Sequence, residues 1–387
     1  MVSLPGLCDK SRPRLASTAP LALNASIAPP CKRGTPGSPV RTLLARVHFL
    51  FPLNASTAMN ISRLEQHVCP HCRSNGLVVK DANGSTAAQI ESGTIECLTC
   101  GTTYPIIRGL PRFVPATNYA ESFGFQWNRH ARTQLDSYSG LPISGDRLWS
   151  AIGGKQDLTG QHVLEAGSGA GRFTEVLASS GADVVTFDYS SAVEANARNQ
   201  APSPHLHLFQ GDIFNIPLVE GSFDKVVCLG VLQHTPDPHA AFRSLARYVR
   251  PGGQLVVDAY TRNFAALLQW KYVLRPITRR MRKERLYRIV ELVTPPLVPI
   301  AKLLRRGAGR LGARLMPIIE YSDLGLPAEL NVQWAILDTF DMYSPAHDHP
   351  QSLETVARWY QEATFEDIHV RRGQNGVVGS GRLPVPH

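Results

Sequence analysis

The sequence contains no run of about eighteen or more uninterrupted apolar residues, so it predicts no transmembrane helix. Internal repeats are also missing. Charged residues make up only 18% of the 387 residues, whereas hydrophobic residues make up 43%, which is a globular composition with enough apolar material for a core. At about 100–200 residues per domain, this length predicts one large domain with smaller parts.

Acidic residues are scarce in two segments. Residues 1–58 hold seven lysines and arginines but only one acidic residue. Residues 261–316 hold fourteen lysines and arginines but only two acidic residues. The rest of the chain is net acidic, so the overall charge of +9 does not indicate nucleic-acid binding by the whole protein. The Leu-rich segment 261–316 allows two interpretations: a solvated helical face over a buried stripe, or attraction to lipid headgroups or a phosphate-bearing acceptor.

Residues 1–58 are rich in Pro, Ser, Ala and Thr and show no sustained period. This composition predicts a disordered or dispensable segment, with the functional chain starting at Met59. An organellar transit peptide is the alternative, although the prolines argue against an amphipathic helix.

Cysteine is confined to seven positions, and four of them form the C-x-x-C pairs Cys69/Cys72 and Cys97/Cys100. Such pairs suit a metal better than disulfides and indicate a reducing, cytoplasmic compartment. Four thiolates leave no open position on a tetrahedral ion, so we expect a structural zinc ribbon over residues 59–114. An apo or iron-loaded ribbon is the alternative.

After linker or lid helices at 115–160, residues 161–260 alternate short apolar strands with helices. This rhythm predicts a doubly wound, mostly parallel, Rossmann-like α/β sheet. A basic helical insertion is predicted over 261–335, and the sheet pattern resumes in the C-terminal part, 336–387. The predicted strands are 162–166, 183–187, 205–209, 224–229, 254–259, 365–371 and 377–382.

The first predicted strand runs into the glycine-rich turn Glu165-Ala-Gly-Ser-Gly-Ala-Gly171. Glycines there allow a tight turn and close approach of a ligand to the backbone. The spacing G-x-G-x-G differs from the dinucleotide fingerprint, and a preceding acid suits a ligand that carries an ammonium and a sulfonium. Asp188 and Asp212 end the next two strands, where carboxylates can accept from ribose hydroxyls and from an adenine amino group.

These motifs resemble the class I S-adenosylmethionine-dependent methyltransferases with V-L-E-x-G-x-G-x-G-R-F, and the resemblance covers residues 160–260. Leu232-Gln-His-Thr-Pro-Asp237 and Arg250-Pro-Gly-Gly253 match in order. The resemblance implies S-adenosylmethionine as cofactor; a dinucleotide enzyme or an inactive fold is the alternative. The candidate cofactor-binding residues are Glu165, Gly167, Ser168, Gly169, Gly171, Asp188, Tyr189, Gly211, Asp212, Ile213 and Leu229.

The stretch from Gly101 to Val114 resembles the small zinc-ribbon protein that activates tRNA and release-factor methyltransferases. Its fusion here implies a stabilising or acceptor-presenting module. Residues 67–114 lack a dense basic stripe, which argues against nucleic acid as a partner.

His234, at the end of the fourth predicted strand, is the candidate catalytic base, because histidine titrates near neutrality. A structural loop histidine is the alternative. Pro345 and Pro350 predict that a second cluster of polar and aromatic residues lies on an ordered loop. That cluster is Trp334, Asp338, Asp341, Tyr343, His347, Asp348 and His349, of which Trp334, Asp341, Tyr343 and His347 are the candidate substrate contacts. The predicted lid residues are Tyr119, Phe123, Gln126 and Trp127, for which helix packing is the alternative.

Together these features predict a methyltransferase that acts on oxygen of a small-molecule or glycan/lipid-linked biosynthetic intermediate. We expect a cytoplasmic protein; a solvated face over residues 261–316 is slightly preferred, and peripheral attachment to an anionic membrane through that segment is the alternative. A tRNA or protein methyltransferase is the second hypothesis, but Leu229–His234 stands where the N-P-P-Y signature of N-methylation would be. A non-catalytic cofactor-binding scaffold is the third.

Overall fold

The computed structural model describes residues 59–84, 86, 89–115, 117–262 and 270–386. The segment 1–58, predicted to be disordered, lies outside these described residues.

The N-terminal module consists of short antiparallel strands around the four paired cysteines. β1 pairs with β3, and β2, β4, β5 and β6 form a four-stranded sheet in that order. The strands are β1 (Met59–Asn60), β2 (Leu77–Asn83), β3 (Gln89–Ile90), β4 (Ser92–Cys97), β5 (Thr103–Ile107) and β6 (Leu110–Pro111).

Three helices lead into a seven-stranded sheet: α1 (Glu121–Arg129), α2 (Asp136–Ser139) and α3 (Ile143–Ile152). The sheet alternates with further helices along the chain. Its first part is β7 (His162–Ala166), α4 (Arg172–Ser179), β8 (Asp183–Asp188), α5 (Val193–Asn199), β9 (Leu206–Gln210), β10 (Phe223–Leu229), α6 (Pro238–Ala246) and β11 (Val249–Ala259). The second part is α7 (Trp270–Thr278), α8 (Lys283–Ala313), α9 (Ala328–Tyr343), α10 (Leu353–Glu362), β12 (Glu366–Gly373) and β13 (Gly376–Arg382).

The strand order is β12-β13-β11-β10-β7-β8-β9. Strands β7 to β11 are parallel to one another, and β13 runs antiparallel to both β11 and β12. The chain winds from β7 to one side and then to the other, so the predicted doubly wound, mostly parallel α/β sheet is confirmed. Strands β7 and β8 are buried over almost their whole length, as expected for parallel strands covered on both faces.

Local sequence signals explain where several helices begin. The side chain of Asp237 accepts from the backbone N–H of Ala240, and Pro238 occupies the first turn of α6. Ser352 caps α10 in the same way through the N–H of Thr355.

The structure of residues 334–349 differs from the sequence prediction. Residues 334–349 were expected on an ordered loop, but α9 extends to Tyr343 and only the following residues form the loop. The prediction was wrong because Pro345 stops a helix from continuing but does not prevent one from ending just before it. The predicted division at residue 335 falls within α9. Among the described helices, none combines the length and apolar character needed to cross a bilayer.

The cysteine module packs on β9, the last strand of the main sheet. The backbone N–H of Phe113 donates to the carbonyl of Gln210 at 2.9 Å. Arg112 donates to Gln210 Oε1 at 3.0 Å and forms an ion pair with Glu194 at 2.9 Å. Buried rings of both parts meet here: Phe113 lies 5.8 Å from Phe209, centroid to centroid. The module and the sheet therefore share one hydrophobic core.

Candidate functional site

A cavity of about 1210 Å³ lies at the carboxyl ends of β7, β8 and β10, beside the point where the strand order reverses. The loop after β7 and residues from α1 and α9 line it, together with residues between Ala313 and Leu324. Pockets for a single small ligand usually measure about 300–1,000 Å³. This cavity is therefore large enough for a cofactor and an acceptor together.

The glycine loop forms one wall of the cavity. Gly167 has φ +80° and Gly169 has φ +54°, a left-handed backbone that favours glycine. A Cβ on Gly167 would lie 2.3 Å from a methyl group of Val231. Ser168 lines the cavity, and its buried hydroxyl has no hydrogen-bond partner among the described residues. An orphaned hydroxyl at this position fits a site that a polar ligand completes.

Asp188 ends β8 and lines the cavity. Its Oδ2 accepts from the N–H of Gly169 at 2.9 Å, and its Oδ1 accepts from the N–H and hydroxyl of Ser190 at 2.8 and 2.7 Å. Burial raises the pKa of this carboxyl, while these hydrogen bonds oppose the shift. A carboxylate oxygen can accept about two hydrogen bonds, so Oδ2 retains capacity for a ligand hydroxyl.

Glu165 lies behind the glycine loop and is not part of the cavity wall. Its Oε2 accepts from the hydroxyls of Thr174 and Thr186 at 2.5 and 2.8 Å. Burial raises the pKa of Glu165 to about 7. In this geometry the side chain supports the loop from beneath.

The remaining predicted cofactor residues divide into two groups. Tyr189, Ile213 and Leu229 line the cavity, whereas Gly171, Gly211 and Asp212 do not. Asp212 Oδ1 accepts from the N–H of Phe214 at 2.9 Å. The individual cofactor contacts stay predictions.

Aromatic side chains of α1 and the preceding residues cover the cavity. Tyr119, Phe123 and Trp127 line it, and the Tyr119 ring lies 4.9 Å from the Tyr189 ring. Gln126, the fourth predicted lid residue, is buried and donates to Asp341 Oδ1 at 3.1 Å. It therefore ties α1 to α9.

His234 follows β10 and is buried in the cavity wall. Its Nδ1 donates to the carbonyl of His347 at 3.1 Å, and Nε2 makes no hydrogen bond within the described chain. The rings of Phe123 and Tyr260 lie 5.0 and 5.3 Å away. Burial lowers the pKa of His234, with Asp341 opposing the shift. The imidazole is thus held neutral, with one nitrogen fixed and the other available as a proton acceptor.

The second predicted cluster is only partly brought to the cavity. Trp334, Asp338, Asp341 and Asp348 line it. Tyr343 does not, since its hydroxyl donates to the carbonyl of Pro317 at 2.8 Å. His347 contributes the carbonyl that holds His234, and its ring lies 5.4 Å from Tyr119.

Two acids of α9 and one in the loop after it have partners that hold them in place. Asp341 Oδ2 accepts from the Tyr260 hydroxyl at 3.1 Å. Asp338 accepts from the Tyr321 hydroxyl, and burial raises the pKa of Asp338 to about 6. Asp348 forms a buried ion pair with Lys271 at 2.9 Å.

Sequence reasoning missed two residues of this wall. Arg172 directly follows the glycine loop and donates to Ser144 Oγ at 3.1 Å and to Gln134. Tyr260 directly follows β11. Both could have been found from position alone, because parallel strands present their carboxyl ends to one common site.

The four paired cysteines meet in one cluster, with all four Sγ atoms within 4.8 Å of one another. Cys69 and Cys100 Sγ lie 3.7 Å apart, and Cys72 and Cys97 Sγ lie 3.5 Å apart. Zinc–sulfur bonds of about 2.3 Å in a tetrahedron place sulfurs about 3.8 Å apart, so the donor set fits zinc. His71 is outside the cluster.

Comparison with known proteins matches residues 164–257 to the family described as "Methyltransferase domain". The ubiquinone biosynthesis O-methyltransferase of Aromatoleum aromaticum is 30% identical over 192 residues, which cover 45% of this chain and 76% of the relative. The chain belongs to the S-adenosylmethionine-dependent methyltransferase family.

Other known proteins match this chain over a shorter stretch or at lower sequence identity. The ubiquinone biosynthesis O-methyltransferase of Coxiella burnetii is 35% identical over 113 residues, which cover 29% of this chain and 48% of the relative. The chain therefore spans about half the length of that relative. A solved S-adenosylmethionine-dependent methyltransferase from Mesorhizobium loti is 15% identical, with a TM-score of 0.37, and the match covers 62% of this chain and 97% of the other.

Proposed function

We propose that this chain methylates a hydroxyl oxygen of a small-molecule or glycan/lipid-linked biosynthetic intermediate, with S-adenosylmethionine as donor. The observation that carries the proposal is the placement of His234: its side chain lines the cavity that the glycine loop and Asp188 also line, and its Nε2 makes no hydrogen bond within the described residues. The names of the relatives, which are O-methyltransferases, support oxygen as the acceptor atom.

Bound S-adenosylmethionine supplies an electrophilic methyl group. The chain's own residues bind, orient and deprotonate. Asp188 and the backbone of the glycine loop hold the cofactor, and Ser168 Oγ gains the partner that it lacks. His234 Nε2 accepts the proton of the acceptor hydroxyl as that oxygen becomes a nucleophile. Its fixed Nδ1–H keeps the tautomer that leaves Nε2 unprotonated.

The positions of Tyr260, Asp341 and Gln126 support this assignment. Tyr260 packs edge-on against His234 and donates to Asp341, which also accepts from Gln126 of α1. These hydrogen bonds fix the Tyr260 ring, which borders the imidazole of His234. Alignment of nucleophile and electrophile can supply much of the rate of such a displacement.

We also propose that Cys69, Cys72, Cys97 and Cys100 hold one structural zinc ion. The distances between their sulfur atoms support it, as does the shared core between the cysteine module and the main sheet. The module then stabilises the edge of the catalytic domain and presents Arg112 to Gln210. Gln210 in turn donates to the carbonyl of Tyr189 at 3.0 Å, so the module supports a residue of the cavity wall.

Methyl transfer from labelled S-adenosylmethionine into separated lipid, glycan, polar metabolite, RNA and protein pools tests the acceptor class. Label that is alkali-resistant and confined to the lipid, glycan or metabolite pools is expected. Asp188→Ala, matched with the exposed Asp367→Ala, should abolish both incorporation and cofactor binding by calorimetry. Incorporation into RNA or protein would contradict the proposed acceptor, and unchanged cofactor binding by Asp188→Ala would contradict the proposed cofactor site.

A further inference from the structure

Two helices of the basic segment expose apolar side chains. On α7, Trp270, Val273 and Ile277 follow one another at helical spacing and are 40%, 66% and 66% exposed. The same helix buries Lys271 in an ion pair with Asp348 at the cavity, whereas these three apolar side chains face outward. Leu274 packs inward, so the helix has apolar side chains on both its buried and its exposed sides.

Helix α8 also carries apolar side chains on both its buried and its exposed faces over residues 283–303. Its inward face packs Leu286, Val290 and Ala301 against the rest of the protein. Its outward face carries Ile289, Leu292, Ile300 and Leu303 at 43%, 77%, 48% and 68% exposure. Among the described residues, these two helices hold most of the exposed large apolar side chains.

Cations surround these apolar stripes. Six of them form no ion pair within the described residues, and only Glu284 and Glu291 supply negative charge on the two helices. The six are Arg279, Arg280, Arg285, Arg288, Lys302 and Arg306. We name the outward faces of α7 and α8, with these cations, the basic–apolar surface.

We propose that the basic–apolar surface docks on an anionic lipid bilayer. An amphipathic helix with exposed Trp, Leu and Ile beside Lys and Arg lies in the interface of such a bilayer, with apolar groups in the lipid and cations at the headgroups. A second copy of this chain fits poorly, since a two-fold contact would oppose cations to cations. RNA would leave Leu292 and Leu303 in water.

The docked surface adjoins the cavity, and this step rests on the proposed function. Trp270 belongs to the outward stripe of α7 and also lines the cavity. Its indole N–H donates to the carbonyl of Leu315, between the cavity residues Arg314 and Met316. A bilayer against this surface brings lipid to the rim of the cavity. The acceptor class that follows is an amphiphile with a lipid tail.

Co-sedimentation of the full chain with vesicles tests the docking. Vesicles of phosphatidylcholine alone are compared with vesicles of equal parts phosphatidylcholine and phosphatidylglycerol, at low and high salt. Wild type should sediment only with the anionic vesicles, and less at high salt. Arg285→Glu/Arg288→Glu and Leu292→Ser/Leu303→Ser should each weaken binding by at least about tenfold. The matched control, Arg358→Glu/Val385→Ser, changes an exposed cation and an exposed apolar residue elsewhere and should bind as wild type.

Two results overturn the proposal: wild type that stays in the supernatant with anionic vesicles, or surface variants that sediment as wild type does. Light scattering that shows a dimer lost in Leu292→Ser/Leu303→Ser, without vesicle binding by wild type, assigns the surface to self-association and also overturns it. Circular dichroism checks that each variant is folded. Because Asp188→Ala should bind vesicles normally, failure of docking is distinguishable from failure of the proposed methyl transfer.

Discussion

The Nδ1–H of His234 donates to the backbone carbonyl of His347 over 3.1 Å. This bond joins the end of β10 to the loop after α9, two segments 113 residues apart in the chain. It fixes the orientation of the imidazole independently of any ligand. The role of His234 as a base is therefore directly testable.

His234→Ala should lower kcat by about 10²–10⁴-fold, because the acceptor hydroxyl loses its proton acceptor. Burial lowers the pKa of His234, so wild-type activity should be level above pH 6.5 and fall as the pH drops through a midpoint below that value. His234→Gln should lose this acidic limb while cofactor affinity stays unchanged. A wild-type profile with its midpoint above 6.5 would count against the assignment. The measurement is a pH–rate profile on the acceptor fraction that takes up label.

Gly167→Ala should weaken cofactor binding by at least about tenfold. An alanine there would adopt φ +80° at a cost, and its Cβ would lie 2.3 Å from Val231. Gly307→Ala is the matched control, since its added Cβ meets nothing within 4 Å. Calorimetric titration with S-adenosylhomocysteine compares the two. Equal affinities would show that the loop does not contact the cofactor.

Glu165 should make the cofactor-free protein less stable as the pH rises. Its pKa is about 7 in the fold against 4.5 in the unfolded chain, so between these values the unfolded chain binds fewer protons. The contribution of protonated Glu165 to the free energy of unfolding is complete below pH 4.5 and is lost as the pH rises through about 7. Glu165→Gln should remove this decline. Urea unfolding from pH 4.5 to 8 measures it. The control is Glu329→Gln, which changes an exposed glutamate without an ion pair among the described residues and should keep the wild-type slope.

Cys97→Ser should lower bound zinc well below one ion per chain and reduce the melting temperature by several degrees, because a structural zinc ion contributes folding free energy. Cys228→Ala is the matched control, since Cys228 is a buried cysteine of β10 outside the cluster. Metal content by plasma emission and melting by calorimetry are the two readouts. Full zinc retention in Cys97→Ser would contradict a four-cysteine site.

The sequence predicts the main sheet closely because its signals are local. Apolar runs bounded by turns place β7, β8 and β10 within a residue or two of their observed ends. Because β7 and β8 are parallel neighbours, their carboxyl ends bring Gly167 and Asp188 close together.

The acceptor side depends on tertiary packing and is less accessible from sequence. Tyr343 and Asp341 lie two residues apart, yet α9 turns one to Pro317 and the other to the cavity. The partners of Asp338 and Asp341, Tyr321 and Tyr260, come from distant segments. No spacing rule connects them.

The contact between the cysteine module and β9 has a consequence for solubility. An edge strand exposes backbone donors and acceptors that can recruit a strand of another molecule and so seed aggregation. The N–H of Phe113 already occupies the carbonyl of Gln210 on that edge. If the module holds the proposed zinc ion, chelation of that ion should loosen this cover before the sheet itself melts. The zinc-bound module would then protect this edge strand from aggregation, and metal-free protein should precipitate before the main sheet unfolds.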